Sequence, residues 1–464
     1  MIEEPFPHET ICAIATPMGQ SGIGVIRISG ASAFQIAEPL FHPKIKKGVL
    51  SSLPTHTVHY ADVVDPKNQH VIDEAYFLIT HAPHTYTGEN TVEIQSHGNP
   101  YLLQKILSLL VQQGARLAGP GEFTRRAFLA GRMDLAQAEA VMELIASQDN
   151  QQHEWALSQL RGRLSERINC LKENLIAVVT TVEASIEFLE QGICTDSPDK
   201  IAQSVEAIRE DVLSLIAGYD EGRKIKDGFV VVIVGRPNVG KSSLMNLLLD
   251  EERAIVTPYP GTTRDLLRES LQMGGLSLQI VDTAGFRKTP DPIEAEGVRR
   301  AEAMLQKADL VLLVLDASEP LQEEDHCIIH RMEQCHRNDH KRIVILNKCD
   351  LPPQLDMAGW DERRVCLSAQ TGEGLAELRR MIREALMMQP ERDPPLVVLL
   401  RHKQALEKVA ESLSQALVAV QSGFSVEFIA ADLKWAIEAL EEIVGSTTTD
   451  EILNQVFNRF CIGK

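Results

Sequence analysis

The stretch Val230 to Ser243, VVVIVGRPNVGKSS, constrains this chain more than any other. Val230 to Val234 is a β-branched apolar run of the kind that fills a buried parallel strand. Gly235-x-x-x-x-Gly240-Lys241-Ser242 follows at once, and Leu244, Leu247 and Leu248 then recur at helical spacing. Strand, glycine loop and helix together are the context in which this pattern binds phosphate. The glycines let successive N–H groups turn toward phosphate oxygens, and the helix N-terminus adds partial positive charge. Lys241 is placed to reach the β and γ phosphates, and the Ser242 hydroxyl to bind magnesium.

Three later motifs, in order, complete the nucleotide site, and the last two select the base. Leu278, Ile280 and Val281 lead into Asp282-Thr283-Ala284-Gly285, where Asp282 holds the water shell of the metal and the Gly285 N–H senses the γ-phosphate. Arg342 to Leu346 ends in Asn347-Lys348-Cys349-Asp350, an N-K-x-D run that resembles the guanine-specificity motif of translation-factor-like GTPases. There the aspartate accepts from guanine N1–H and the exocyclic amine. Ser368-Ala369-Gln370 is similar to the S-A-K motif that touches guanine O6. The reading is a Ras-like GTPase domain running from about Lys226 to Met388, with Pro390, Pro394 and Pro395 at its exit.

At 464 residues the chain is long enough for about three domains. Its 44% hydrophobic and 24% charged residues suit a globular protein. No membrane-span-length apolar run or N-terminal signal pattern is present, and the eight scattered cysteines fit a reducing cytoplasm. A net charge of −19 argues against indiscriminate nucleic-acid binding.

Residues 1–130 read as an α+β domain. Strands are expected at Ile11–Ala15, Gly24–Ile28, Val58–Val64, Ala75–Thr80 and Thr91–Gln95, with an amphipathic helix over Tyr101–Gln112. The first glycine cluster (Gly19, Gly22, Gly24) reads as a strand turn. From Asp134 the pattern becomes helical. Leu157, Leu160, Leu164, Ile168, Leu171, Leu175, Val178, Val182 and Ile186 predict one long helix. Further helices are expected at Ile201–Ile216, Leu400–Val420, Val426–Val444 and Asp450–Phe460. Helices on both sides point to the GTPase domain as an insertion into one all-α domain, formed by residues 131–225 and 389–464, with two separate helical units as the competing reading.

Two clusters have competing readings. Arg116, Arg125, Arg126, Arg132, Arg161, Arg163 and Arg167 form either a phosphate-tracking face or a solvated face paired with glutamates. His326, Cys327, His330, Cys335, His336 and His340 match no standard zinc spacing and read as a surface helix; the pair His81 and His84 reads likewise as non-metal.

The chain resembles the MnmE (TrmE) family of bacterial tRNA-modification GTPases over essentially its whole length. The resemblance rests on Gly22-Ile23-Gly24-Val25-Ile26-Arg27-Ile28-Ser29-Gly30, Tyr86-Thr87-Gly88-Glu89, Pro120 to Phe128 (PGEFTRRAF), Asp134 to Ala140 (DLAQAEA), Gly261-Thr262-Thr263-Arg264-Asp265 and Cys461-Ile462-Gly463-Lys464. It implies an N-terminal dimerising domain that binds tetrahydrofolate in its 5-formyl or 5,10-methylene form, a helical domain, and an inserted GTPase domain. It also implies a homodimer and an FAD-containing partner, MnmG (GidA), in a heterotetramer or larger complex. Together they add an aminomethyl or carboxymethylaminomethyl group to C5 of the wobble uridine of certain tRNAs. Folate contacts are implied at Arg27, Glu93, Lys464 and Arg132, the last standing where the family has lysine. Cys461 is either a nucleophile or a thiol packed near the folate.

The resemblance also implies how hydrolysis works. Phe286 stands where Ras-like proteins keep a water-positioning glutamine. Potassium, held by Asn238, Thr257, Tyr259 and Thr262, takes the place of an arginine finger. The GTP contacts implied are Asn238, Val239, Gly240, Lys241, Ser242, Ser243, the loop Thr257-Pro258-Tyr259-Pro260-Gly261-Thr262-Thr263, Asp282 to Gly285, Asn347, Lys348, Asp350 and Ser368 to Gln370. Thr263 joins Ser242 on magnesium, and Glu294 positions the water. Arg264 and Arg287 are alternative fingers or salt-bridge partners across a GTPase-domain dimer. Hydrolysis is then activated by potassium-ordered dimerisation, and the helical domain passes the motion on. Two other readings compete: an Era- or Der-like ribosome-assembly GTPase, which should carry a KH-like module not seen here, and a non-enzymatic regulatory switch.

Overall fold

The computed structural model describes residues 9–44, 48–189, 198–250, 268–273, 276–282, 304–335, 342–355, 363–386 and 395–464. The chain divides into two compact units: Met1–Met142 with Gln159–Arg209 and Glu407–Lys464, and Glu143–Ser158 with Glu210–Leu406. Among the described residues, no helix is long and apolar enough to cross a membrane.

In the first unit, β1 (Ile11–Ile14), β2 (Ser21–Ser29), β3 (Phe41–Pro43), β4 (Thr57–Val64), β5 (Val71–Thr80), β6 (Thr91–Gly98) and β7 (Arg116–Leu117) form one sheet in the order β3-β4-β5-β6-β2-β1-β7. Its pairs are antiparallel except β1 with β7. Period-2 alternation sets its faces: Ala75, Phe77 and Ile79 are buried while Tyr76 between them is exposed. The buried face is covered by α1 (Ala33–Ala37) and α2 (Pro100–Gln112), whose Phe34, Leu103, Ile106 and Leu110 pack with Ile26, Ile28, Phe77 and Ile94. Asn99 caps α2 by accepting from the Tyr101 and Leu102 N–H groups, and Pro100 starts the helix where no N–H is needed. Truncating Ile106 to alanine in this core should cost about 2–5 kcal/mol. The glycine cluster differs from the expected turn: Gly22 and Gly24 lie inside β2, whose register with β6 shifts between Ser21 and Gly24.

Two short helices, α3 (Glu122–Leu129) and α4 (Leu135–Ala146), follow. The expected single helix from Leu157 is two, α5 (Asn150–Leu160) and α6 (Arg163–Leu189). Gly162 makes the break. Its φ is +89°, its N–H donates to the Gln159 carbonyl, and its own carbonyl accepts from Glu166 to open α6. Downstream come α7 (Pro198–Ala217) and α8 (Tyr219–Asp227); after the GTPase region come α12 (Leu400–Gln421), α13 (Val426–Val444) and α14 (Asp450–Phe457). α6 and α13, drawn from opposite sides of that region, pack together. Leu164, Ile168, Leu171, Leu175 and Val182 on one and Leu433, Ala436, Leu440 and Ile443 on the other are buried. Lys172–Glu441 (3.5 Å) and Lys434–Glu183 (2.7 Å) flank the seam.

The second unit holds β8 (Phe229–Val234), α9 (Lys241–Asp250), β9 (Arg268–Met273), β10 (Leu276–Asp282), β11 (Leu310–Asp316), α10 (Glu323–Cys335), β12 (Arg342–Asn347), β13 (Arg364–Cys366) and α11 (Leu375–Leu386). The sheet order is β13-β12-β11-β8-β10-β9, parallel but for the edge strand β9. Each face has its own core. Val231, Ile233, Leu312 and Ile345 meet α9 and α11 on one side; Val232, Leu313 and Val344 meet Ile328 and Met332 of α10 on the other. This doubly wound arrangement puts the loops of the site at the carboxyl ends of the strands. All of α8 and α5 up to Ser158 belong to this unit: Trp155 and Ala156 pack with Val398, and Gln152 donates to the Lys226 carbonyl at 3.2 Å.

Candidate functional site

β8 delivers the chain into the glycine loop at the centre of its sheet. Asn238 adopts φ +66° and Gly240 φ +97°. At Gly240 a side chain is excluded twice over: by that backbone angle and because a Cβ would lie 2.2 Å from Asn347 Nδ2. The Lys241 ammonium donates to the Gly235 and Arg236 carbonyls, each at 2.9 Å, which pins it over the loop. Ser242 and Ser243 are exposed on the first turn of α9, and Asp282 ends β10 opposite Ile233 of β8.

The base-reading loops are tied to the phosphate loop by one buried side chain. Asn347 donates through Nδ2 to the Val239 carbonyl at 2.7 Å and accepts through Oδ1 from the Ala369 N–H at 2.9 Å. Its neighbour Lys348, at φ +63°, pairs with Asp316 at 2.5 Å. Burial raises the Asp316 carboxyl, but Lys348 and the Ser318 hydroxyl and N–H together hold it below its usual range. Ser368 is fully buried and its hydroxyl accepts from the Thr371 N–H, whereas Asp350 and Gln370 are exposed at the mouth. Asp316 was open to discovery from sequence: it ends the apolar run Leu310–Leu315 as Asp282 ends its own. The residues Thr257 to Thr263, Arg264, Thr283, Ala284, Gly285, Phe286, Arg287 and Glu294 lie outside the described residues, as do His336 and His340.

A second site is built in the first unit. Arg27 on β2 and Glu93 on β6 are register partners and pair at 2.7 Å, each side chain about one-fifth exposed. The Arg27 guanidinium lies 5.7 Å from the ring centres of both Tyr86 and Phe123. The tail Cys461–Lys464 closes the site. Pro120 and Ile462 form a bridge, the Phe123 N–H donates to the Lys464 carbonyl at 3.2 Å, and Arg27 Nη1 reaches the Gly463 carbonyl at 3.5 Å. Burial and then the Arg27 charge hold the Lys464 ammonium below the usual lysine range, against Glu93 and Cys461. Arg27, Glu93 and Lys464 are therefore brought together. Arg132 is exposed beside Gly88, and Cys461 is exposed.

A half-buried network shapes the neighbouring loop. Glu89 pairs with Arg126 at 3.0 Å and accepts from Ser29 at 2.7 Å; Glu122 pairs with Arg116 and Arg126; Arg125 reaches Asn454 at 3.0 Å. Of the two readings of the arginine cluster, a phosphate-tracking face does not suit Arg116, Arg125 and Arg126, because their guanidinium groups are committed to this network. Among the described residues there is also no His, Cys, Asp and Glu grouping that would hold a metal ion.

A doubly wound sheet with a Gly-x4-Gly-Lys-Ser loop, a strand-end Asp282, Asn-Lys-x-Asp and Ser-Ala-Gln at its carboxyl edge defines a P-loop GTPase. Residues 135–461 match the family described as the MnmE helical domain, and residues 10–132 the one described as the GTP-binding protein TrmE N-terminus. The chain is 43% identical over 465 residues to the tRNA modification GTPase MnmE of Syntrophus aciditrophicus (strain SB), covering 98% of this chain and 99% of that one. It is 42% identical over 467 residues to the protein so named from Moorella thermoacetica, with 98% and 99% covered. The Protochlamydia amoebophila protein of that name is 40% identical over 466 residues, with 100% and 99% covered. The chain belongs to the MnmE family.

Proposed function

We propose that this chain is a GTP-hydrolysing tRNA-modification enzyme of the cytoplasm. It acts as a homodimer, with an FAD-containing partner (MnmG) in a heterotetramer or larger complex. The modification is an aminomethyl or carboxymethylaminomethyl group on C5 of the wobble uridine. Residues 1–130 form the folate-binding and dimerising domain, 131–225 with 389–464 the helical domain, and 226–388 the inserted GTPase domain. One observation carries the reading: a single chain holds both a guanine-nucleotide site and a cation–carboxylate site built from Arg27, Glu93 and Lys464.

The described residues around Arg27 suit the folate that this activity needs. Arg27 and Lys464 crowd two positive charges where burial already disfavours one, so an anionic glutamate tail relieves both. Glu93 can accept from a pterin amino group and ring N–H, and Tyr86 and Phe123 offer apolar faces. In the GTPase domain, Lys241 and the loop N–H groups hold the phosphates, Ser242 and Thr263 magnesium, and Asn238, Thr257, Tyr259 and Thr262 potassium. Asp350 reads guanine, and Glu294 orients the attacking water. The bound folate supplies the one-carbon unit, while the metal ions supply positive charge beside the phosphates.

The deciding experiment is nucleoside mass spectrometry of bulk tRNA from a strain lacking this chain, complemented by wild type or Lys241→Ala. The expected result is loss of C5-aminomethyl-type wobble uridines, restored by wild type alone. Unchanged uridines in the deletion strain would refute the reading. A GTPase rate equal in potassium and sodium would remove its potassium part.

A further inference from the structure

The helices α12 and α13 are joined by a turn of fixed shape. Gly423 has φ +67° and donates to the Val420 carbonyl at 3.2 Å, and the Phe424 N–H donates to the Ala419 carbonyl at 3.0 Å. This is a Schellman ending, in which the residue after the glycine ordinarily folds its apolar side chain back onto the helix. Phe424 instead stays 58% exposed, with Phe428 at 65%, Val418 at 57% and Trp435 at 57%. The hairpin does not need them for its own core, because Leu413, Ala416, Leu417, Ile429, Leu433 and Leu440 are already buried. These exposed side chains form a second apolar stripe on the same two helices. Val418, Ala419, Phe424 and Phe428 floor a groove of about 560 Å³ rimmed by Glu411, Ser414, Gln415 and Asp432. Trp435 lines the adjoining depression with Glu411, Glu438 and Glu442. An apolar strip of this kind with a polar rim marks a docking surface.

The rim says what docks. Its charge is carboxylate. The lining cation, Lys408, is engaged by Glu442 at 3.0 Å. Burial raises the Asp432 carboxyl above its usual range, with no offsetting cause. Such a rim repels the phosphates of RNA and of an anionic membrane. Two copies of the groove face to face would oppose Glu411 and Asp432 to themselves, which disfavours self-association. What fits is a protein segment with apolar anchors flanked by lysine or arginine, seated between pre-positioned aromatic rings.

We infer that the groove between α12 and α13 is the docking surface for the FAD-containing partner, which presents an apolar, basic-flanked segment to Phe424, Phe428 and Asp432. The inference rests on the partnership proposed above. The test uses both full-length proteins and measures binding by isothermal titration calorimetry at low and moderate salt. Wild type is compared with Phe428→Asp and Asp432→Lys, with circular dichroism and intrinsic GTPase rate as checks on the fold. Phe428→Asp should weaken binding at least about tenfold. Asp432→Lys should weaken it and flatten its salt dependence, with GTPase rate unchanged for both. If wild type does not bind the partner, the partnership falls and the inference with it. If wild type binds and both variants bind as tightly, with the same salt dependence, the partnership stands and the groove assignment is overturned.

Discussion

Removing the Asn347 side chain should uncouple the two halves of the nucleotide site. Asn347 is 2% exposed and bridges the Val239 carbonyl, in the phosphate loop, to the Ala369 N–H, in the base-reading loop. Each bond contributes about 0.5–1.5 kcal/mol net, and a buried group left unpaired costs about 1–3 kcal/mol. Ala369 is partly exposed, so water can reach its N–H more easily than the Val239 carbonyl. Asn347→Ala should therefore cost about 2–4 kcal/mol in all. If the bridge sets the loops for the ligand, that cost appears as a Kd for guanine nucleotide roughly 30- to 1,000-fold weaker. Asn347→Asp is the sharper variant. It keeps an acceptor for Ala369 but turns an oxygen toward the Val239 carbonyl, and should bind at least as poorly as the alanine variant. The assay is titration with a fluorescent GDP analogue, alongside thermal melting. A Kd within about threefold of wild type for both folded variants would refute the bridging role. A loss confined to melting temperature would make Asn347 a scaffold residue only.

Other outcomes follow from the first unit. Glu93→Gln leaves Arg27 and Lys464 without their carboxylate. It should lower stability by about 1–2 kcal/mol and weaken 5-formyltetrahydrofolate binding roughly tenfold or more, read by fluorescence titration. Gly463→Ala, at φ +97° with its Cβ 2.6 Å from the Ile14 carbonyl, should displace the tail and abolish folate binding while GTP hydrolysis persists. Burial raises the Glu122 carboxyl, but Arg116, the Gly119 N–H and Arg126 hold it below its ordinary 4.5. The unfolded chain therefore takes up the proton first as pH falls. The stability from Glu122 is complete above its ordinary pKa and lost as pH drops through the folded one, so Glu122→Gln should flatten the acid limb of a melting-temperature profile. Finally, Cys12 is fully buried and its pKa is pushed up by burial to about 12, whereas Cys461 is exposed. Iodoacetamide at mildly alkaline pH should alkylate Cys461 and spare Cys12, as read by peptide mass spectrometry.

The nucleotide loop was legible because everything it needs is local: strand, glycines, lysine and helix within one short run. The helical break at Gly162 was not, because a 3.6-residue apolar stripe continues in phase from Leu160 to Leu164 and does not register a left-handed glycine between them. The arginine cluster stayed ambiguous for a different reason. Glu122 is a local partner, but Glu9, Glu89 and Asp450 lie far off in sequence, so only the fold shows that Arg116, Arg125 and Arg126 are already paired. β7 has two residues and draws its order from pairing with β1, which no local preference reveals. Arg27, Glu93 and Lys464 could be listed from the family resemblance, but their convergence through the tail could not be read from spacing.

The distance between Arg27 and Gly463, 436 positions along the chain, has a consequence for how this protein is made. A ribosome delivers Arg27 long before Gly463, and domains generally fold as they emerge. The seven-stranded sheet can thus form while the GTPase region is still being translated, with Arg27 and Glu93 in place but the wall from Cys461 to Lys464 missing. Closing so large a loop comes late, since its entropy is lost before its contacts are gained. A nascent chain stalled inside the GTPase region therefore holds a sheet without a finished pocket. On the proposed folate reading, a chain truncated before Cys461 lacks this wall, so ligand capture at Arg27 is expected only once the nucleotide-hydrolysing region has been synthesised.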